Sequence, residues 1–388
     1  MKYPVFFTFA LSTLPLLSAQ KNSNCSPASP APCYSDDCCR TYCLGPENYG
    51  ANPPVRPYTC NGDLEITIAG FYWNAHQDGM EYAIETHSIG TTTQEDRADL
   101  IDANYKNPHF DWDFGFKLGL GYNTTCDGWD FGVLWTWYRG SASSHNESEP
   151  SDNTTLLPIW SDFEEIDPGD VLFATDIKTH WKLQLNLIDI DLGRMYWNSH
   201  RLNLRPHVGL RIAFIDQNFE IEHSGGSFNN TGNGDVNDEV NIDNDFKGAG
   251  IRVGLDSLWN VGCGWSIYGD FALSVISGRF SIDHDEMTRE VGSPFSKNKV
   301  MEIKDSFRNE VLIADLGIGI HYQTLLCDCD YALAVSLGWE QHLFLNQNQM
   351  WRIMIHQGDP TASKNNIYNQ RRGDLSTQGW TLTVAFDF

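Results

Sequence analysis

Beyond residue 19 the chain has no run of about 18 apolar residues, so helices that cross a bilayer are excluded. Basic residues are scarce. Twenty-six Lys and Arg face 51 Asp and Glu, a formal charge of -25, and nucleic acid is excluded as a partner because phosphate binding needs clustered cations. Catalytic patterns are missing as well: no GxSxG elbow, HExxH helix, Walker loop or GxGxxG after a strand is present. Nothing in the sequence therefore implies an enzyme or a cofactor. Metal has no better support. Cys38, Cys39 and Cys43 lie in a Pro-rich segment without a paired CxxC, and the run Asp235 to Asp245 lacks the central Gly and final Glu of an EF-hand loop.

What is present is aromatic and exported in character. Aromatic residues reach 13 % with 13 Trp, more than an ordinary soluble domain carries. Residues 1–19 open with Lys2, continue through the apolar Val5 to Leu17 and end at Ser18-Ala19, which reads as a secretory signal peptide too short to span a membrane. A Cys- and Pro-rich segment follows over 20–62, and a regular β region over 63–388.

From Phe110 to Tyr122 every even position is apolar or aromatic, while His109, Asp111, Asp113, Lys117 and glycines fill the odd ones. That is strand alternation. It recurs after Asn123 to Asp127, in Ile177 to Leu187, Leu204 to Phe214, Ile251 to Trp259, Trp265 to Val275, Leu312 to Tyr322, Tyr331 to Trp339 and Trp380 to Phe388. Less regular strands lie at Leu64 to Trp73 and Met80 to Thr86. The second face carries Lys117, Lys182, Arg205, Arg211, Arg252, Asp256, Asp270, Asp315 and Glu340. In a soluble sandwich the apolar faces turn on each other; in a membrane barrel they turn to lipid and the charged face lines a lumen.

Three features favour the barrel. The strands are long, with polar connections at Gly140 to Ala174, Asp216 to Phe246, Gly278 to Arg308 and Asn346 to Thr377 alternating with short turns at Asn123 to Asp127, Asn260 to Gly264 and Gln323 to Asp330. The connection Asp191 to Asn203 belongs to the short side. Trp129, Trp259 and Trp265 stand beside short turns, where interfacial aromatic girdles sit. The last segment alternates Trp380, Leu382, Val384, Phe386 and Phe388, and resembles the signal that the outer-membrane barrel-assembly machinery reads. The expected fold is an all-β, antiparallel transmembrane barrel of 10 to 12 strands, short turns toward the periplasm and long loops outward. The patterns give 11 strands, whereas single-chain bacterial barrels take even numbers, so the stretch Leu64 to Thr86 holds one strand too many or another is hidden.

On that topology Cys126, Cys263, Cys327 and Cys329 fall in periplasmic turns, on the side of Cys25, Cys33, Cys38, Cys39, Cys43 and Cys60. Export permits disulfides. Intrachain bridges, unpaired thiols and bridges to other envelope proteins are all open.

The stretch Gly70 to Ala83 (GFYWNAHQDGMEYA), the hairpin beginning WDFGFKLGLGY at Trp112, and Leu204 to Gln217 (LRPHVGLRIAFIDQ) resemble the Legionella-type pore-forming major outer membrane proteins, a family that includes porins of environmental chlamydiae. The resemblance implies an abundant outer-membrane porin that admits small hydrophilic solutes, with disulfide-linked neighbours. Lipid, the assembly machinery and, as is natural for a porin, two further copies in a homotrimer are the expected partners. The alternative is a structural or adhesive surface protein with a closed barrel. Both charge signs line the expected lumen, so no ion preference follows.

Overall fold

The strands form where period two is strict, and in a computed structural model they close on themselves. The structure describes residues 63–388 except 88–99, 101, 125–128, 149–153, 164–171, 230–234, 293–295, 327–330, 357–364 and 371. The proposed signal peptide, the 20–62 segment and every cysteine but Cys263 lie outside the described residues.

Ten strands make the wall: β1 (Asp63–Gln77), β2 (Trp112–Asn123), β3 (Trp129–Glu147), β4 (Asp176–Arg194), β5 (Leu202–Ser224), β6 (Val236–Gly262), β7 (Trp265–Glu290), β8 (Lys297–Leu326), β9 (Tyr331–Asn348) and β10 (Gly373–Asp387). Each pairs antiparallel with its neighbour in the chain, and β1 closes the ring on β10, with Tyr72 opposite Trp380 and Ile68 opposite Val384. The eleventh expected strand is the correction. Ala83–His87 leaves the barrel and pairs instead with Asn104–Lys106 and Thr154–Pro158 in a separate three-stranded sheet, which restores an even count.

Chain direction puts the β2–β3, β4–β5, β6–β7 and β8–β9 turns at one end. The tightest, Gly262-Cys263-Gly264, has φ of 130°, 56° and 79°, a left-handed path that two glycines make cheap. Cys263 is at its apex.

The second correction concerns the long polar segments. Asp216 to Phe246 and Gly278 to Arg308 are mostly not loops. β5 pairs with β6 as far as His223 opposite Asp238, and β6 with β7 as far as Val236 opposite Glu290. The strands continue outward as a tower because their alternation persists while its sense reverses. On β7 the outward Trp265, Ile267, Phe271 and Val275 are exposed and apolar, whereas farther along the inward Ile276, Phe280 and Ile282 are buried and the outward residues are Arg279, Ser281, Asp283 and Asp285. β4 reverses between Leu187, which points inward, and Ile188, which points outward; β5 does so between Phe214 and Ile215.

Two solvents explain the reversal. Eleven residues from Trp265 to Val275, tilted as in a barrel, rise roughly 25 Å, the height of an outer-membrane apolar band. Within that band lipid takes the apolar face and the lumen takes the polar one. Above it water surrounds the wall, so apolar side chains turn inward as in any soluble β protein.

Candidate functional site

Within the membrane band many of the inward residues are small or charged. Gly119, Gly121, Gly132, Ser257, Gly317, Ser336, Thr383 and Ala385 leave a cavity of about 530 Å³, lined also by Lys117, Arg205, Arg211, Arg252, Asp256, Asp270, Asp315 and Glu340. Eight of the nine charged residues singled out from sequence therefore meet in one chamber. Lys182 does not: it points outward from the tower wall, 3.7 Å from Glu220, because the apolar residues Ile177 to Leu187 face inward above the membrane.

Seven of the eight are paired; Asp270 has no ion pair among the described residues. The Arg205 guanidinium donates to Asp130 from Nε at 2.9 and 3.0 Å and to Asp256 at 2.6 Å. Arg252 donates to Asp191 at 2.7 Å. Arg211 donates to both oxygens of Asp189, its direct cross-strand neighbour, at 2.6 and 2.7 Å, and reaches Asp315 at 2.7 Å. That last pair runs from β5 to β8, and Lys117 to Glu340, at 2.6 Å, runs from β2 to β9. Both bridge the lumen. His342 joins the layer through Asp315 at 2.7 Å. Asp130, Asp189, Asp191, His207 and His342 were not singled out from sequence. Their signal is their parity: Asp189 and Asp191 alternate with Ile188, Ile190 and Leu192, continuing the inward series past the point where the strand changes sense.

Above the ion pairs the lumen fills. Wall residues Trp73, Tyr138, Trp181, Phe219, Phe246, Phe280 and Phe344 converge with Met80, Tyr82, Trp160, Phe163, Phe228 and Met350 from connections that fold inward, and all are buried. Gln217 on β5 donates to Gln77 on β1 across the barrel at 3.1 Å. The inserted connections brace one another. The Trp160 indole donates to the Glu81 carbonyl at 2.7 Å, Arg352 stacks over that indole at 5.0 Å, and Asn348 donates to the Asp78 carbonyl at 2.8 Å. Chamber, ion-pair layer and plug thus succeed each other along the axis.

Among the described residues, His145, Glu147 and Asp176 are a group close enough to share a metal ion. They stand on the outside of the tower, His145 Nε2 at 3.2 Å from Glu147 and 2.8 Å from Asp176, which Lys178 also approaches at 3.3 Å. Those ion pairs account for the group. The run Asp235 to Asp245, expected to be a loop, is paired strand from Val236 onward.

Solved structures similar to this chain include the outer membrane protease OmpT of Escherichia coli (10 % identity, covering 84 % of this chain and 96 % of that one, TM-score 0.29). The attachment invasion locus protein Ail of Yersinia pestis is another (8 %, 84 % and 99 %, TM-score 0.23). The monoaromatic hydrocarbon channel TodX, in a deletion mutant, is a third (10 %, 89 % and 95 %, TM-score 0.28). At such scores none informs on function. No curated protein matches the chain. The family described as Legionella pneumophila major outer membrane protein precursor matches residues 57–388, and together with the closed ten-stranded wall and its lipid-facing band this places the chain in that family of outer-membrane β-barrels.

Proposed function

We propose that the protein is a gated porin for small hydrophilic solutes and ions, closed in the conformation described. The observation that carries the reading is the hollow in the membrane half: glycine, serine, threonine and alanine turn inward and leave a charged cavity of about 530 Å³ that a mere anchor has no use for. Barrels of about eight strands are filled by side chains, and ten enclose more room. Charges in such a chamber keep their solvation only if water reaches them, because dry burial of ions is costly. The ion-pair layer and plug above must part for solutes to pass. Because both signs line the route, selectivity is weak. No catalysis is part of this reading.

The test is conductance of the purified chain in planar bilayers. Discrete current steps of small amplitude, with long closed intervals, are expected. A folded barrel that never conducts sinks the proposal.

A second reading is a closed structural or adhesive barrel, favoured by the ion pairs that bridge the lumen and by the apolar filling of the tower. No solute entry in liposome swelling, with loss of host attachment when outer connections are deleted, would support it. In either reading insertion by the barrel-assembly machinery, a homotrimer and disulfides to envelope partners are proposed too. Cys263 lies in the β6–β7 turn, at the end proposed to face the periplasm, and non-reducing electrophoresis of native envelopes separates internal from intermolecular bridges.

A further inference from the structure

The plug contains charge that has no obvious place in an apolar core. Glu286 on β7, Asp238 on β6 and His223 on β5 all point into the tower lumen and are fully buried. They lie beyond the lipid-facing band, 11 residues past Val275 in the case of Glu286. Glu286 is the anchor of an inserted connection. It accepts from the Ser161 hydroxyl at 2.7 Å and, through its two oxygens, from the Asp162 amide at 2.9 and 2.8 Å. The neighbouring residues Ile159, Trp160 and Phe163 are buried, Trp160 against Phe219 and Phe163 against Phe228. Asp238, two residues along β6 from Val240, the cross-strand partner of Glu286, points into the same buried space, and its carboxyl faces His223 Nδ1 at 3.0 Å.

Two carboxyl groups buried side by side do not both stay ionised without a cation, and among the described residues no Lys or Arg is paired with either. We propose that Glu286 is a proton-operated latch: protonated, it holds the Thr154–Phe163 segment in the lumen; ionised, it releases that segment. The groups facing it are Asp238, His223 and Asp162, with His284 two residues away on its own strand and Glu222 and Glu239 acting from the outer face. Burial, reinforced by Asp238, pushes Glu286 up to about 9, against the pull of the Asp162 amide and Ser161 hydroxyl. Burial raises Asp238 to about 7, and lowers His223 to about 4.

The signs give the window. A carboxyl whose docked pKa is raised stabilises docking fully at pH below its free value and loses that contribution as pH climbs through the docked value. His223 works in the opposite sense, but only below its ordinary value of 6.5, so it and Asp238 oppose each other in acid. Between about pH 7 and 9 Glu286 acts alone, and docking should weaken by up to about tenfold per pH unit. That release opens the route is a consequence that rests on the porin reading; the latch itself does not.

The test is hydrogen exchange of the Ile159–Phe163 amides in the full chain folded in lipid, from pH 6 to 9 and corrected for the intrinsic rate. The opening constant should rise by up to about tenfold per pH unit above pH 7 and be flat in Glu286→Gln, which keeps one acceptor oxygen for the Ser161 hydroxyl and the Asp162 amide without the titration. An opening constant in the native chain that does not change with pH overturns the latch, with no variant needed, and so does a Glu286→Gln chain that keeps the native pH dependence. Conductance on the same samples separates the two claims. Exchange that follows pH in a chain that never conducts leaves the latch standing and removes the pore.

Discussion

Removing Arg211 probes the layer that shuts the chamber. Its guanidinium is 3 % exposed and serves Asp189 and Asp315, themselves 5 % and 10 % exposed, from opposite walls. In Arg211→Met the apolar stem survives and the charge goes. Asp315 keeps His342 at 2.7 Å, while Asp189 retains only Arg252, at 3.8 Å. Breaking a buried pair costs about 3 to 5 kcal/mol, and the remaining partners and the wet chamber place this loss at about 3 kcal/mol. Neutralising the abandoned carboxylate as well, in Arg211→Met with Asp189→Asn, should recover at least half of it, since most of the penalty belongs to the unpaired anion. Equilibrium unfolding in lipid measures the stability. The same variants in planar bilayers should conduct more often than the native chain, because the bridge from β5 to β8 is gone. A single variant within about 0.5 kcal/mol of native, or a double variant worse than the single, would refute the reasoning.

The reversal of faces makes an arginine costly at one outward position and harmless at another. Ile318→Arg, in the lipid band, should cost about 2 to 4 kcal/mol, while Ser281→Arg, outward on the tower, should stay within about 0.5 kcal/mol, both read from unfolding in lipid. Trp160→Ala should cost about 3 to 5 kcal/mol in the plug and raise the open probability in bilayer recordings without loosening β1 to β10 below it.

Much of the wall was legible because alternation is a local property. Trp112 to Tyr122 reads as a strand whatever surrounds it, and the chamber residues Lys117, Arg252, Asp256, Asp270 and Asp315 follow from the parity of their lipid-facing neighbours. What alternation does not carry is the identity of the solvent. Trp181, Leu183 and Leu185 have the same spacing as Phe114, Phe116 and Leu118, yet the first set fills the tower and the second faces lipid. The adjacent apolar pairs Leu187-Ile188 and Phe214-Ile215, where apolar residues change parity within a strand, mark the plane between the two and are visible in the sequence. The ion pairs across the lumen have no such mark. Arg211 and Asp315, or Lys117 and Glu340, meet through closure of the ring, and no spacing along the chain encodes it.

Hydrocarbon touches this wall only along the band of outward apolar residues. Photolabelling the unmodified barrel in a bilayer with a lipid-phase carbene, then mapping the tagged residues, reads this directly. Label is predicted on Ile267, Phe271 and Val275 of β7 and on Ile251, Val253 and Leu255 of β6, and none on Ile276, Phe280, Phe219 or Leu183. Label on those tower residues, or none on the first six, would contradict it.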